Sequence, residues 1–202
     1  MKKITISFFV ALSVIVYACN SGADHQHTDK QATTEQAAAD EPIKQVKASF
    51  TNVDAGVAAH MKKLTDEYLA VKNALTSEKA GEAADASKNM AETIKGFDKS
   101  LLTAEQKKVY DANEDDLREH AEHIEKNAGN IEHQREHFSM MSEDMYALVK
   151  SFGGGKTLYH DHCPMAKDNK GAMWLSESKA IRNPYFGNKM MECGSVEEEI
   201  NN

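Results

Sequence analysis

The chain has 202 residues, a formal net charge of −8 and 41% hydrophobic residues. This length suits one ordinary domain with appendages. The acidic balance leaves no basic patch to neutralise phosphates, which argues against a nucleic-acid partner. The 10 methionines and 9 histidines favour a cation as the ligand instead.

The N-terminus predicts an exported, lipid-anchored protein. Residues 1–18 have the pattern of a lipoprotein signal peptide, with two lysines before a short apolar run. They end in Val-Tyr-Ala before Cys19, which we expect to become the acylated N-terminus of the mature chain. Cleavage by the general signal peptidase, which would leave a soluble protein, is the alternative. The expected location is the cell envelope, facing the periplasm or associated with the outer membrane, with the lipid as the membrane contact.

Residues 19–50 are expected to form a flexible tether. They are rich in alanine, glutamine, threonine and acidic residues and have few large apolar groups. Such a segment cannot bury enough surface to offset the entropy lost on ordering. His25 and His27 lie in this stretch, and we expect them to bind metal only weakly.

Residues 51–152 predict a helical bundle. Their apolar residues recur at spacings of three and four along successive segments, which marks one buried stripe per helix. Short loops between such helices favour antiparallel neighbours. The predicted fold is therefore mainly α, an antiparallel bundle of about four helices with a C-terminal lobe of loops and short strands. The predicted helices lie near residues 54–76, 78–99, 103–127 and 131–152, the third of them starting with a capping box.

Residues 153–202 predict this C-terminal lobe, because glycines, prolines and aromatic residues are frequent there. Trp174, Tyr185 and Phe186 are expected to form its small core and to pack against the helices. The acidic tail from Ser195 onward is expected to be solvated.

Four histidines flank the turn that is predicted between the third and fourth helices. His120 and His123 lie three residues apart, and His133 and His137 lie four apart, so each pair shares a helix face. The turn over 127–130 then brings all four to one end of the bundle. Imidazole pairs at this spacing often bind metals. The interleaved glutamates are equally consistent with a solvated polar face, and the sequence leaves both interpretations open.

The C-terminal lobe contains a second group of candidate ligands, in which imidazole, thiol and thioether groups occur close together. Sulfur ligands of both kinds favour cuprous copper, with silver and zinc as alternatives. In an oxidising compartment the two cysteines could instead form a disulfide, and the methionines could fill the core. Either use of the cysteines requires them to meet. The candidate ligands are His162, Cys163, Met165, Met190, Met191 and Cys193.

Three segments of the second half resemble a known domain family. They read HQREHFSMMSEDMYALVKSF, YHDHCPMAKDNKGAMWLS and IRNPYFGNKMMECG. Over roughly residues 48–199 the chain resembles an uncharacterised family of exported bacterial proteins, whose domain is also found fused to heavy-metal efflux adaptors of the copper/silver membrane-fusion type. The resemblance implies a helical domain with a C-terminal lobe that handles transition metals in the envelope. Its Cys-Pro-Met element resembles a metal-binding motif of such adaptors, although Ala166 stands where those adaptors have a histidine.

These features together predict a non-catalytic, envelope-tethered protein that binds soft metal ions in metal efflux or homeostasis. The alternative is an interaction module that docks on an efflux adaptor through its aromatic lobe, with Cys163 and Cys193 joined in a structural disulfide. An enzyme is not expected, because the sequence shows no nucleophile–base pair, phosphate-binding glycine loop or cofactor fingerprint.

Overall fold

The computed structural model describes residues 42–202. The expected signal peptide, the lipidation site Cys19 and the two tether histidines, His25 and His27, lie outside these described residues. Within them the fold is mainly helical, with one small sheet built largely from the C-terminal part. None of the helices in this range is long and apolar enough to cross a membrane.

The helices supply most of the hydrophobic core, through the stripe of apolar residues that each one buries. The first long helix contacts the second and the last, and the fourth also contacts the second and the last. The expected antiparallel arrangement of these helices stays a prediction. The helices of eight residues or more are α1 (Ala55–Thr76), α2 (Ala80–Lys95), α3 (Ala104–Asp111), α4 (Glu114–Lys126) and α5 (Ile131–Phe152).

Local capping signals fix several of the helix ends where the sequence predicts them. The Asp54 side chain accepts a hydrogen bond from the backbone N–H of Gly56 and so caps α1. Thr103 and Gln106 form the predicted capping box at the start of α3. Gly153 ends α5 with a φ of 83°, a left-handed conformation that glycine adopts without strain.

The prediction of one continuous third helix is wrong, because the chain breaks at Ala112 and Asn113 into α3 and α4. The Asn113 side chain donates to the carbonyl oxygen of Val109 at 2.8 Å, a bond of the kind that competes with regular helix hydrogen bonding. Three acidic residues, Glu114–Asp116, follow in the first turn of α4. The helix dipole favours negative charge at that position, so a new helix begins there.

The sheet has four strands in the order β1-β4-β2-β3. Strand β4 is parallel to β1 and antiparallel to β2, and β2 is antiparallel to β3. The strands are β1 (Lys44–Lys47), β2 (Leu158–Cys163), β3 (Ala172–Ser176) and β4 (Ser195–Asn201).

Two strands occupy segments that we expected to be irregular. Strand β1 lies inside the expected tether, and β4 replaces the expected solvated tail. Glu198 of β4 is only 7% exposed. Its carboxylate accepts hydrogen bonds from Lys44 of β1 and from Tyr146 of α5, each at 2.6 Å. These contacts offset the cost of burying an acidic residue and tie the first described residues to the end of the chain.

The aromatic core of the lobe forms as expected. Trp174 is fully buried, and the Tyr185 ring lies edge-on to it with ring centroids 5.9 Å apart. Tyr185 also lies 5.9 Å from the ring of Phe138 on α5, so the lobe packs against the helices. The Asn183 side chain accepts hydrogen bonds from the backbone N–H groups of Tyr185 and Phe186, as expected for a turn residue.

Candidate metal site

The hairpin of α4 and α5 determines where its histidines lie. Ile124 of α4 and Phe138 of α5 are fully buried, which orients the neighbouring histidines along a half-buried flank. The Asn130 side chain caps α5 by accepting from the backbone N–H of His133 at 3.3 Å. The buried side chain of Gln134 donates to the carbonyl oxygen of Ile124 at 3.0 Å. The turn is therefore held by specific contacts, and the helix faces on either side of it are fixed.

His123, His133 and His137 form what we call the hairpin cluster. One ring nitrogen from each lies within 4.8 Å of the other two. Among the His, Cys, Asp and Glu residues of the described part of the chain, these three form the group with ligand atoms this close together. The His123 and His137 rings stack with centroids 4.2 Å apart, and His133 meets His137 edge-on at 4.7 Å. Because zinc–nitrogen bonds are about 2.1 Å long, small ring rotations would bring all three nitrogens onto one ion.

His120 lies beside the hairpin cluster. Its Nδ1 is 3.2 Å from Nδ1 of His137, so one of these two nitrogens carries the shared proton. When His137 donates this proton, its Nε2 lone pair is free to bind a metal ion. Histidine ligands are usually oriented by such a partner on the second nitrogen. The expected gathering of four histidines at one end of the hairpin is therefore confirmed, with His120 best placed as the orienting partner.

The electrostatics of the cluster suit a cation. Burial and the neighbouring histidines lower the pKa of His137 to about 4, which keeps its imidazole neutral at pH 7. Neutral imidazole is the form that binds metals. Oε2 of Glu136 lies 3.2 Å from Nδ1 of His133, and Oε1 of Glu119 lies 3.8 Å from Nε2 of His123. The side chains of His123 and His133 are 44% and 34% exposed, so an ion can reach the ring nitrogens from solvent.

The two cysteines of the lobe meet, as both interpretations of them require. Their Sγ atoms lie 2.6 Å apart. Cys163 is fully buried, whereas Cys193 is partly exposed. Burial and the neighbouring thiol raise the pKa of Cys193 to about 11, so without a metal ion it is a protonated thiol at pH 7.

Among the other expected ligands of the lobe, His162 does not converge on the cysteines. Adjacent strand residues point to opposite faces, so His162 points away from Cys163, and its Nδ1 lies 3.3 Å from Glu197. The side chain of Met165 is 46% exposed. Met165 and Met190 line an open cavity of about 440 Å³ together with aromatic and charged residues. The hairpin cluster contains no cysteine, and the candidate ligands therefore fall into separate groups.

Asp144 is a half-buried carboxylate further along α5. Its Oδ2 atom has no hydrogen-bond partner in the described part of the protein. Burial, together with the charges of Asp116 and Glu143, raises the pKa of Asp144 to about 7. Between about pH 4 and pH 7 the folded chain therefore holds a proton that the unfolded chain has lost. The contribution of this group to the free energy of unfolding falls as the pH rises through that window.

Asp144→Asn is expected to remove this pH dependence. The amide stays neutral, so the variant should match the wild type near pH 4 and exceed its free energy of unfolding by on the order of 2 kcal/mol at about pH 8. Urea unfolding across this pH range measures the effect. Asp115→Asn, which changes an exposed carboxylate on α4, is the matched control and should follow the wild type. Parallel curves for Asp144→Asn and the wild type would contradict the prediction.

The helical part of the chain is similar to an uncharacterised protein family. Residues 64–157 match the model of a family described as "Protein of unknown function (DUF3347)". The matched segment contains all four histidines of the hairpin and ends before the cysteines of the lobe. No curated protein and no solved structure matches the chain.

Proposed function

We propose that the protein binds a divalent transition-metal ion at the hairpin cluster, without catalysis, and that it acts in metal homeostasis or efflux in the cell envelope. The observation that carries the proposal is the convergence of three imidazole nitrogens within 4.8 Å on a half-exposed surface. Imidazole ligands suit zinc and cupric copper, whereas magnesium and calcium prefer oxygen.

The structure supports this site more strongly than the expected cuprous or silver site of the lobe. A soft-metal ion there would have to displace a proton from Cys163, which is fully buried, or from Cys193, whose pKa is about 11. Met165 and Met190 line one cavity, and Glu136 of the hairpin lines it as well. We therefore assign the cysteines a structural role, as in the interaction-module alternative.

The remaining parts of the proposal rest on the sequence. A lipid on Cys19 would hold the protein at the membrane, where an efflux adaptor is the proposed partner for the bound ion. The half-exposed ligands of the hairpin cluster support such a transfer, because a partner could approach the ion without unfolding the site. Short turns between the helices support the antiparallel bundle on which the cluster depends.

Titration of the purified full chain, kept in mild detergent, with zinc and cupric ions tests the proposed function. We expect a dissociation constant below about 1 μM for at least one of these ions and no heat of binding with magnesium. Calorimetry and competition with a coloured chelator measure the affinity. Zinc and copper affinities no tighter than those of magnesium would overturn the proposal.

Cys19→Ala is expected to release the protein from membranes. Acylation is proposed at this cysteine, and the described residues contain no helix that could span a membrane in place of the lipid. Separation of membrane and soluble fractions, followed by immunoblotting, measures the change. Asn20→Ala is the control and should stay with the membrane. Equal membrane association of Cys19→Ala and the wild type would rule out the anchor.

A further inference from the structure

The sheet contains an irregularity that places one glutamate beside two histidines. His160 of β2 pairs with Glu198 of β4, whereas the next residue, Asp161, pairs with Val196. Glu197 is therefore the extra residue of a β-bulge in β4. Bulges redirect the side chains of the strand that carries them, and they are frequent beside functional sites.

Glu197 lies between the imidazoles of the two histidines of β2. Its Oε2 atom is 3.4 Å from Nδ1 of His160, and its Oε1 atom is 3.3 Å from Nδ1 of His162. In the described part of the chain, these two histidines are the basic residues that lie within ion-pair distance of Glu197. Each imidazole therefore meets its own oxygen of one carboxylate.

Packing fixes which nitrogen of each ring faces the glutamate. The His160 ring stacks on Tyr146 of α5 with centroids 4.5 Å apart, and its side chain is 12% exposed. The His162 ring packs over Gly171, where a Cβ atom would lie only 2.6 Å from Nε2. Gly171 has a φ of 84°, which other residues rarely adopt, and a side chain there would displace the His162 ring. Both Nδ1 atoms are thus directed at the carboxylate by their surroundings.

The contact between His160 and Glu197 leaves a buried ring nitrogen without a hydrogen bond in the described residues. Nδ1 of His160 is buried and has no hydrogen bond of acceptable geometry within residues 42–202, although the carboxylate oxygen is near. Burial lowers the pKa of His160 and so favours its neutral form. A lone pair and a carboxylate that face each other repel unless a proton or a metal ion lies between them. In a tetrahedral zinc site the ligand atoms lie about 3.4 Å apart. Each imidazole is at about this distance from its own oxygen of Glu197, but the three residues together are spaced more widely than the hairpin cluster.

The other charged groups near His160, His162 and Glu197 are already paired. Glu198 accepts hydrogen bonds from Lys44 and Tyr146, and Lys150 donates to the Tyr146 hydroxyl at 2.9 Å. Glu197, whose side chain is 47% exposed, has the two imidazoles as its ion-pair neighbours in the described part of the chain. A divalent ion held between these three groups would add the positive charge that neutral imidazoles lack.

We propose that His160, His162 and Glu197 form a second metal site, separate from the hairpin cluster and selective for a divalent first-row ion such as zinc. Two imidazoles and one carboxylate are a ligand set of such ions, with the remaining coordination positions open to water. The two imidazoles are spaced more widely than those of the hairpin cluster, so an ion would draw them together. His162, with a side chain 35% exposed, has room for this movement.

The test counts zinc equivalents bound by the purified full chain in mild detergent, with zinc alone as the probe. His25→Ala and His27→Ala are present in every variant, so that the N-terminal histidines contribute nothing. We expect two tight equivalents in this background, one after Glu197→Gln and none when Glu197→Gln is combined with alanine at the hairpin cluster. Glu199→Gln is the matched control, because this residue lies on the same strand and pairs with Lys179. It should keep both equivalents.

The outcomes separate this site from the proposed function. If Glu197→Gln binds as much zinc as its background, the second site is wrong, whatever the hairpin cluster does. If alanine at the hairpin cluster changes nothing while Glu197→Gln removes an equivalent, the proposed function fails and the second site stands. His162→Ala gives an independent check that does not depend on the carboxylate. Cobalt in the variant that lacks the hairpin cluster should show no sulfur charge-transfer band, and such a band would assign the equivalent to the cysteines.

Discussion

Replacing His123, His133 and His137 together by alanine is expected to weaken zinc or copper binding at the hairpin by on the order of 100-fold or more. The three nitrogens lie within 4.8 Å of one another, so the variant removes the whole ligand set. Alanine is the best helix former, and the side chains of His123 and His133 are 44% and 34% exposed, so α4 and α5 should remain folded. Competition titration measures the affinity, and circular dichroism checks the helix content.

The matched control separates coordination from simple attraction by the acidic surface. Glu119→Gln with Glu136→Gln removes two charges next to the cluster and leaves every imidazole in place. This variant should lose no more than about 10-fold in affinity. In the wild type, Glu119 and Glu136 act on the ion only through the local field and through the orientation of the imidazole rings. Equal losses in the histidine and glutamate variants would mean that the surface charge, and not the imidazoles, holds the ion.

The helices and the hairpin could be predicted because their determinants are local. The bounds of α1 and α5 follow from apolar spacing and from caps within a few residues of each end, such as Asp54, Asn130 and Gly153. The gathering of the histidines follows from the same information, since it needs only helix periodicity and one reversing turn. The break between α3 and α4 also had a local signal, because Asn113 followed by three acidic residues is typical of a helix start.

The sheet could not be predicted in the same way. Lys44 of β1 and its partner Glu198 of β4 are 154 residues apart along the chain, and β4 contains three consecutive glutamates, which have low strand propensity. The pairing of these strands depends on Glu198 meeting Lys44 and Tyr146, and no spacing in the sequence reveals that contact. Tertiary contacts decide the structure of such segments.

The candidate ligands of the lobe show the same limit. His162 and Cys163 are neighbours in sequence and lie on one strand. Because adjacent residues of a strand point to opposite faces, their side chains lie on opposite sides of the sheet. The pattern His-Asp-His at 160–162 did carry a signal for two histidines at strand spacing. Its third member, Glu197, comes from a bulge in another strand, and a bulge of this kind cannot be located from the sequence alone.

Cys163→Ser is expected to lower the free energy of unfolding in oxidising buffer by about 2–4 kcal/mol, with metal binding unchanged. The two sulfur atoms meet in the fold, and the cysteines are 30 residues apart, so a bond between them would restrict a sizeable loop of the unfolded chain. The burial of Cys163 in the core also favours a structural disulfide. Chemical unfolding with and without reductant measures the difference.

Cys193→Ser is the matched control, because it breaks the same pair from its more exposed side. In oxidising buffer both variants should lose similar stability, since each prevents the same cross-link. In reducing buffer Cys163→Ser should remain the less stable by about 1 kcal/mol, because its hydroxyl is buried without a partner while that of Cys193→Ser can reach solvent. If both variants instead kept their stability and lost tight cuprous binding, the cysteines would be metal ligands. The protein would then hold soft and borderline ions at two sites of one fold, and the lobe would be a metal site in its own right.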